Sequence, residues 1–105
     1  MDIVHDKEKS KFRVEVDGVT AYVAYTLADG ALDIRHTIVP EEIGGRGIAS
    51  ALVKATYDYA LENGYKPVAT CSYAVVWLQR HPEYKGTTGA DFGGEGSCAD
   101  RKSTR

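Results

Sequence analysis

Residues 39–55 read "VPEEIGGRGIASALVKA". Gly44, Gly45 and Gly47 crowd around Arg46, and a helix-forming run, Ile48 to Asn63, follows at once. Glycine costs backbone entropy on folding, so a glycine cluster directly before the best helix of the chain needs a reason. A helix N-terminus offers unpaired N–H groups and the positive end of a dipole. Glycines let an anion approach that backbone closely. The stretch therefore reads as a loop shaped to hold an anion, with a turn chosen only for a tight helix start as the alternative. A Walker A loop needs Lys followed by Ser or Thr after its last glycine, and Ile48-Ala49 stands there instead. A dinucleotide fingerprint counted from Gly45 needs Gly or Ala at its sixth position, which is Ser50.

The chain on either side supplies the frame. "KFRVEV" alternates Phe12, Val14 and Val16 with Lys11, Arg13 and Glu15, the pattern of a half-buried strand. Asp17-Gly18 is a two-residue hairpin signal. "VTAYVAYTLA" is the second strand, Asp29-Gly30 a second turn, and "ALDIRHTIV" a third strand closed by Pro40. Two-residue turns set the register. Phe12 should face Val23, and Val23 should face His36, placing His36 on the apolar face with Leu32, Ile34 and Ile38. Arg13, Tyr22 and Thr37 should form a row on the other face. Residues 1 to 10 read as a loose start.

After the loop, the helix is expected from about Arg46 to Asn63, with Gly64 as its C-terminal cap. Ile48, Leu52, Ala55 and Tyr59, with Ala49, Val53, Thr56 and Ala60, give a wide apolar stripe that must cover a sheet. Tyr57 falls outside it and is expected to be exposed. "KPVATC" is a short strand, Pro67 to Cys71, which a β-α-β connection makes parallel to the third. "SYAVVWLQR" is a second helix with Ser72 as N-cap, ended by His81-Pro82. The fold class is α/β (α+β): an antiparallel three-stranded meander, then a β-α-β unit and a C-terminal helix. Residues 1–85 form the domain. Residues 86–105, rich in Gly, Ser and Thr, are expected to be a flexible tail.

The 105 residues allow one small domain, and 43% hydrophobic with 27% charged residues is an ordinary globular composition. A net charge of -2 argues against a nucleic-acid surface, which wants a basic excess. No apolar run approaches the roughly 20 residues of a membrane span. The N-terminus lacks the apolar core of a signal peptide. Cys71 and Cys98 form no CxxC or Cys-His cluster, so neither a metal site nor a disulfide scaffold is read. A reducing cytoplasm is the default compartment.

Glu42-x-x-Gly45-x-Gly47-Ile48-Ala49, after a strand and opening a helix, resembles the acetyl-CoA pyrophosphate loop of the GNAT superfamily of N-acetyltransferases. That loop is written Q/R-x-x-G-x-G/A, and Glu42 departs from its first position. "HTIVPEEIGGRGIASALVKATYDYALENGYKPVATCSYAVVWLQRHPEY" is similar to the minimal single-domain members, which run H-T-x-V-P, G-x-G-I/L-A, C-P/S-F/Y and H-P-E-Y in order. The resemblance spans residues 12 to 84. It implies a reduced GNAT fold without the N-terminal helices of larger members, and acetyl-CoA, or CoA, in a cleft where the third and fourth strands splay apart. Pantetheine would pair with the backbone of Thr37, Ile38 and Val39. The pyrophosphate would sit on the loop from Gly44 through Gly45, Arg46, Gly47, Ile48 and Ala49. Arg46 adds charge to the phosphates or is an ordinary solvated arginine.

Cys71 closes a strand and precedes a helix, where the dipole favours a thiolate. His36 sits near the C-terminal end of the neighbouring strand, and the resemblance attaches catalysis to this Cys and His. Two routes are open. Cys71 accepts the acetyl group and passes it to an amine, with His36 as base, or the amine attacks directly and His36 takes its proton. The plainer readings are a small buried thiol and a satisfied core histidine. Arg80 and His81 either reach the acyl carrier's phosphates or cap their helix. Trp77, Tyr73 and Tyr84 read as packing residues, and Cys98 is given no role. The function expected is an acetyl-CoA-dependent N-acetyltransferase, acting as a monomer on an amine of a small molecule or a protein lysine. The alternatives are a CoA-binding module without turnover and a thiol-reactive protein using Cys71.

Overall fold

In the computed structural model, which describes residues 2–89, six strands form one sheet in the order β1-β2-β3-β4-β5-β6. They are β1 (Val4–Asp6), β2 (Lys11–Val16), β3 (Val19–Ala28), β4 (Ala31–Ile38), β5 (Lys66–Ala69) and β6 (Thr87–Thr88). Between them lie α1 (Ile48–Glu62) and α2 (Ser72–Arg80). The first four strands are antiparallel, while β5 lies parallel to β4 and β6 parallel to β5. The expected meander, β-α-β unit and second helix are all present.

Both hairpins turn as their sequences demand. Asp17 and Gly18 have φ of 52° and 78°, and Asp29 and Gly30 have 53° and 77°, the positive pair that a type I′ turn requires. α1 begins two residues later than expected because Gly47 is left-handed at φ 75° and stands as its N-cap. It ends in a Schellman motif: Tyr65 N–H donates to Ala60 O at 2.8 Å and Gly64 N–H to Leu61 O at 3.3 Å.

Phe12, Val14, Ala21, Val23, Tyr25, Leu32, Ile34 and Ala69 point to one side of the sheet and are buried there. Ile48, Leu52, Val53, Thr56, Tyr57 and Ala60 of α1 pack on them. α2 joins α1 on the same side, tied to it by Trp77 Nε1–H donating to Ser50 Oγ at 3.0 Å, and the turn that follows α2 is tied to α1 by Tyr84 O–H donating to Asp58 Oδ1 at 2.6 Å. No helix among the described residues covers the opposite side, where Arg13, Glu15, Thr20 and Thr26 are exposed. The sheet thus has a helix face and an open face.

The register departs from expectation at one place, and that place matters most. The β2–β3 hairpin holds, with Phe12 opposite Val23. The β3–β4 hairpin also holds from Ala28–Ala31 to Tyr25–Ile34, then shifts between Ala24 and Tyr25. Arg35 is the extra residue, a β-bulge. Beyond it Ala24 faces His36, Val23 faces Thr37 and Tyr22 faces Ile38. A one-residue shift exchanges the faces. His36 is therefore not on the apolar face; it stands half-buried on the open face beside Ala24. Thr37, 2% exposed, takes the core place opposite Val23. Ile38, not Thr37, completes the row of Arg13 and Tyr22. The bulge lets two consecutive polar side chains, Arg35 and His36, leave the core together.

Three smaller corrections follow from packing. Val4–Asp6 is not loose but pairs with Lys11–Arg13, because His5 stacks on Phe12 with ring centroids 4.0 Å apart and meets the Tyr25 hydroxyl. Tyr57 is wholly buried rather than exposed, and its hydroxyl donates to Val68 O at 2.6 Å, pinning β5 to α1. Ser72 is the first residue of α2, and Cys71 is its N-cap. Of the expected tail, Thr87–Thr88 pairs with Val68–Ala69, and Gly89 N–H donates to Ala69 O at 2.7 Å. Residues 90–105 lie outside the described residues.

Candidate active site

β4 and β5 pair only from Ala31–Lys66 to Ile34–Ala69. The carbonyl of Ile34 then accepts two N–H groups, from Thr70 at 3.0 Å and Cys71 at 3.1 Å. Past that point the strands part: β4 continues to Ile38, and Cys71 turns the chain into α2. The result is a fork at the C-terminal ends of two parallel strands, the usual place for a ligand crevice in sheets of this kind.

A polar cluster that sequence reading did not single out holds the base of the fork. The Thr70 hydroxyl shares its proton between both Asp33 carboxylate oxygens at 3.0 and 2.9 Å. Arg35, the bulge residue, donates to Asp33 Oδ2 at 3.2 Å. Thr70 is wholly buried. Gly89 lies so close over it that an added Cβ would stand 2.3 Å from its hydroxyl oxygen. β4, β5 and β6 are cross-linked at the level where the sheet opens. The one signal available in sequence was the opposite charges of Asp33 and Arg35 on either side of Ile34.

The glycine loop stands at the mouth of the fork, since β4 leads into it. Ile43, 1% exposed, anchors it, and Gly44 to Gly47 are exposed. Gly45 and Gly47 have φ of 77° and 75°, and a Cβ on either would meet nothing within 4 Å. The space beside both backbones is open to a ligand. No side chain caps α1, and no acidic residue stands in its first turn, so its first amides and dipole are not neutralised locally. These features fit an anionic group such as a pyrophosphate. Arg46 donates to Asp17 Oδ2 of the β2–β3 turn at 2.8 Å, but both side chains are more than half exposed, and such a pair holds its arginine weakly. Glu42 is exposed. Thr37 and Ile38 end β4 and Val39 follows it, so all three expected pantetheine residues lie along the fork.

The structure separates the two candidate catalytic residues. Cys71 is wholly buried on the helix side, and its Sγ donates to Thr37 Oγ1 at 3.4 Å. His36 points the other way, onto the open face. Thr37, expected to offer its backbone to pantetheine and its side chain to the opposite face, instead presents the hydroxyl that meets the thiol. At the far end of α2, His81 stacks on Trp77 at 3.8 Å, and its Nδ1 meets the Trp77 carbonyl at 2.7 Å, so it caps the helix. Trp77 and Tyr84 are buried packing residues. Among the described residues, no three His, Cys, Asp or Glu side chains are grouped to hold a metal, and no helix is long and apolar enough to cross a membrane.

A small α/β fold with a split between parallel strands and a glycine loop opening a helix is the architecture that the resemblance to N-acetyltransferases implied. Comparison agrees. The chain belongs to the GCN5-related N-acetyltransferase family, whose model matches residues 11–87, and within it to a small, single-domain branch. Protein NATD1 of Xenopus tropicalis is 32% identical over 83 residues, covering 76% of each chain. Protein NATD1 of Danio rerio is 33% identical over 87 residues, covering 78% of this chain and 79% of its own. A GCN5-like protein from Staphylococcus aureus, solved in solution by NMR, superimposes with a TM-score of 0.66 at 28% identity, covering 90% of this chain and 94% of that one. Acetyl-CoA is the general cosubstrate of the family.

Proposed function

We propose that the chain is an acetyl-CoA-dependent N-acetyltransferase that transfers the acetyl group directly to an amine. The observation that carries this reading is the fork itself. It joins the helix face, where the glycine loop and the two helix N-termini lie, to the open face, where the bulge places His36. The amides of Gly45 to Ala49 take the pyrophosphate, with Arg46 free to swing from Asp17 toward it. The backbone of Thr37, Ile38 and Val39 receives the pantetheine arm. The amine comes from the open face. Its nitrogen forms a bond to the acetyl carbon as the carbon–sulfur bond breaks. His36 takes the proton lost by nitrogen, and the departing CoA thiolate is protonated from solvent. Holding the two reactants in one cleft supplies much of the acceleration in such a site.

Direct transfer is preferred over an acetyl-cysteine because Cys71 is wholly buried, bonded to Thr37, and on the opposite side of β4 from His36. The test is intact-mass analysis of the chain with acetyl-CoA, beside rates for Cys71→Ala and His36→Ala. The proposal expects no acetyl on Cys71, most of the activity kept in Cys71→Ala, and a large loss with an altered pH profile in His36→Ala. An acetyl adduct on Cys71 that forms and discharges at the turnover rate would overturn it. CoA binding with no turnover on any amine would make the chain a binding module.

A further inference from the structure

We propose that Asp33 and Thr70 are positioning residues for His36: they hold the Arg35 guanidinium over β5 and so leave the place over Ala24 to the imidazole and the incoming amine. The proposal rests on the transferase reading above, in which His36 takes the proton. The bulge sets the problem. It turns two consecutive side chains, Arg35 and His36, onto the open face opposite one residue, Ala24. Consecutive residues of a regular strand point to opposite faces, so only at a bulge must two neighbours share the space above one strand. The arginine is the longer of the two and always keeps its charge. Left loose, it would reach over the imidazole, crowd the approach of the amine and repel the proton that His36 must accept.

The structure sends it the other way. Arg35 Nη1 donates to Asp33 Oδ2 at 3.2 Å and stands 3.5 Å from the Thr70 hydroxyl oxygen. Thr70 directly follows β5, and its own N–H donates to Ile34 O at 3.0 Å. The guanidinium therefore lies toward β5, while His36 faces Ala24 of β3 on the other flank of β4. The tie is firm. Thr70 is wholly buried, its hydroxyl donates to both Asp33 oxygens, and the Asp33 and Arg35 side chains are 17% and 33% exposed. Gly89 roofs the cluster, since an added Cβ would stand 2.3 Å from Thr70 Oγ1 and 3.2 Å from Asp33 Oδ2. Lys11, third in the row with Ala24 and His36, is drawn off as well. It faces Asp6 across the β1–β2 pair, and its ammonium leans over the Tyr22 ring, 4.4 Å from the centroid. Both cations beside His36 thus have a carboxylate opposite them, and the one that adjoins it in sequence is held aside by two residues.

The test follows CoA release with hexylamine as acceptor, well below each variant's melting temperature. Asp33→Ala frees the arginine and should lower kcat about tenfold, a part of the roughly 10²–10⁴-fold that a placed base supplies, with KM for acetyl-CoA unchanged. Removing the arginine as well, in Asp33→Ala/Arg35→Ala, should restore kcat to within about threefold of the wild type, because the two side chains act as one network. In a His36→Ala background Asp33→Ala should cost nothing further. Thr70→Val loosens the same tie and should repeat the pattern in smaller measure. NMR of the imidazole resonances reads the same effect without turnover: the His36 titration midpoint should fall in Asp33→Ala, where a loose cation adjoins it, and return in the double variant. A double variant no faster than Asp33→Ala, or a loss that persists without His36, would make the cluster merely structural and overturn the proposal while leaving the transferase reading intact. If acetyl-CoA binds by calorimetry and the wild type consumes no hexylamine, the transferase reading fails and the proposal falls with it.

Discussion

Replacing Thr70 by Val removes one oxygen and keeps the shape of a β-branched side chain at the base of the fork. The hydroxyl donates to both Asp33 oxygens at 3.0 and 2.9 Å, and hydrogen bonds to a charged group contribute about 1.5–3 kcal/mol each. One shared proton counts as one bond. Asp33 keeps Arg35 at 3.2 Å, and its side chain is 17% exposed, so water and arginine offset part of the loss. The low end of the range applies, about 1.5 kcal/mol. For a domain of this size that lowers Tm by about 6–12 °C. Thermal and urea unfolding of Thr70→Val, with Thr70→Ser as the variant that keeps the hydroxyl, is the assay. Thr70→Ser should recover most of the stability, and amide exchange at Thr70 and Cys71 should accelerate only in the Val variant. A Val variant as stable as the wild type, with unchanged exchange, would show that the cluster does not hold the fork together.

Gly47→Asn should weaken CoA binding at least tenfold by calorimetry, because its side chain fills the open space beside a left-handed backbone at φ 75°. Asn tolerates that conformation best after Gly, so the fold should persist, and unchanged affinity in a folded variant would dismiss the loop as the phosphate site. Burial and the hydrogen bond to Asp58 push the Tyr84 hydroxyl up to about 12. The folded state therefore holds that proton more tightly, and the stability gained is full below pH 10 and lost as pH rises toward 12. Tyr84→Phe should flatten that alkaline loss in a pH series of unfolding curves. Burial opposes ionisation of Asp58, but the Tyr84 and Lys54 hydrogen bonds outweigh it and lower its pKa. Its contribution is present above the ordinary carboxylate pKa of 3.8 and fades as pH falls through the folded value, which Asp58→Asn should abolish in acid unfolding. In a Cys98→Ala background, Cys71 should react with iodoacetamide far more slowly in the native than in the urea-unfolded chain, since it is wholly buried; equal rates would contradict that burial.

The parts of the fold legible in sequence were those set by local chemistry. Asp17-Gly18 and Asp29-Gly30 specify type I′ turns, and the apolar stripe from Ile48 to Ala60 specifies a helix on a sheet. The glycine loop could be read because positive φ and open space leave a mark in residue choice. The bulge could not be read from alternation, because Leu32, Ile34, His36 and Ile38 keep period two in sequence while the backbone inserts Arg35. Its trace was the adjacent pair Arg35-His36, two consecutive polar residues where alternation allows one. Tyr57 was misplaced because a tyrosine at the rim of a helical stripe reads as exposed until a carbonyl, here Val68 O, is found to receive its hydroxyl. β1 and β6 escaped notice because each is too short to show a period and depends on partners distant in sequence. The Asp33–Thr70 contact joins residues 37 positions apart and needs the fold before it can be seen.

The most direct test of the central claim is an NMR titration of the isotope-labelled chain with acetyl-CoA. If the fork is the acyl-carrier site, one saturable set of shifts should centre on Gly44 to Ala49 and on Arg35 to Val39, with Cys71 at its edge and the turn at Asp29-Gly30 unmoved. No saturable shift, or shifts gathered away from the glycine loop and the C-terminal half of β4, would contradict the account.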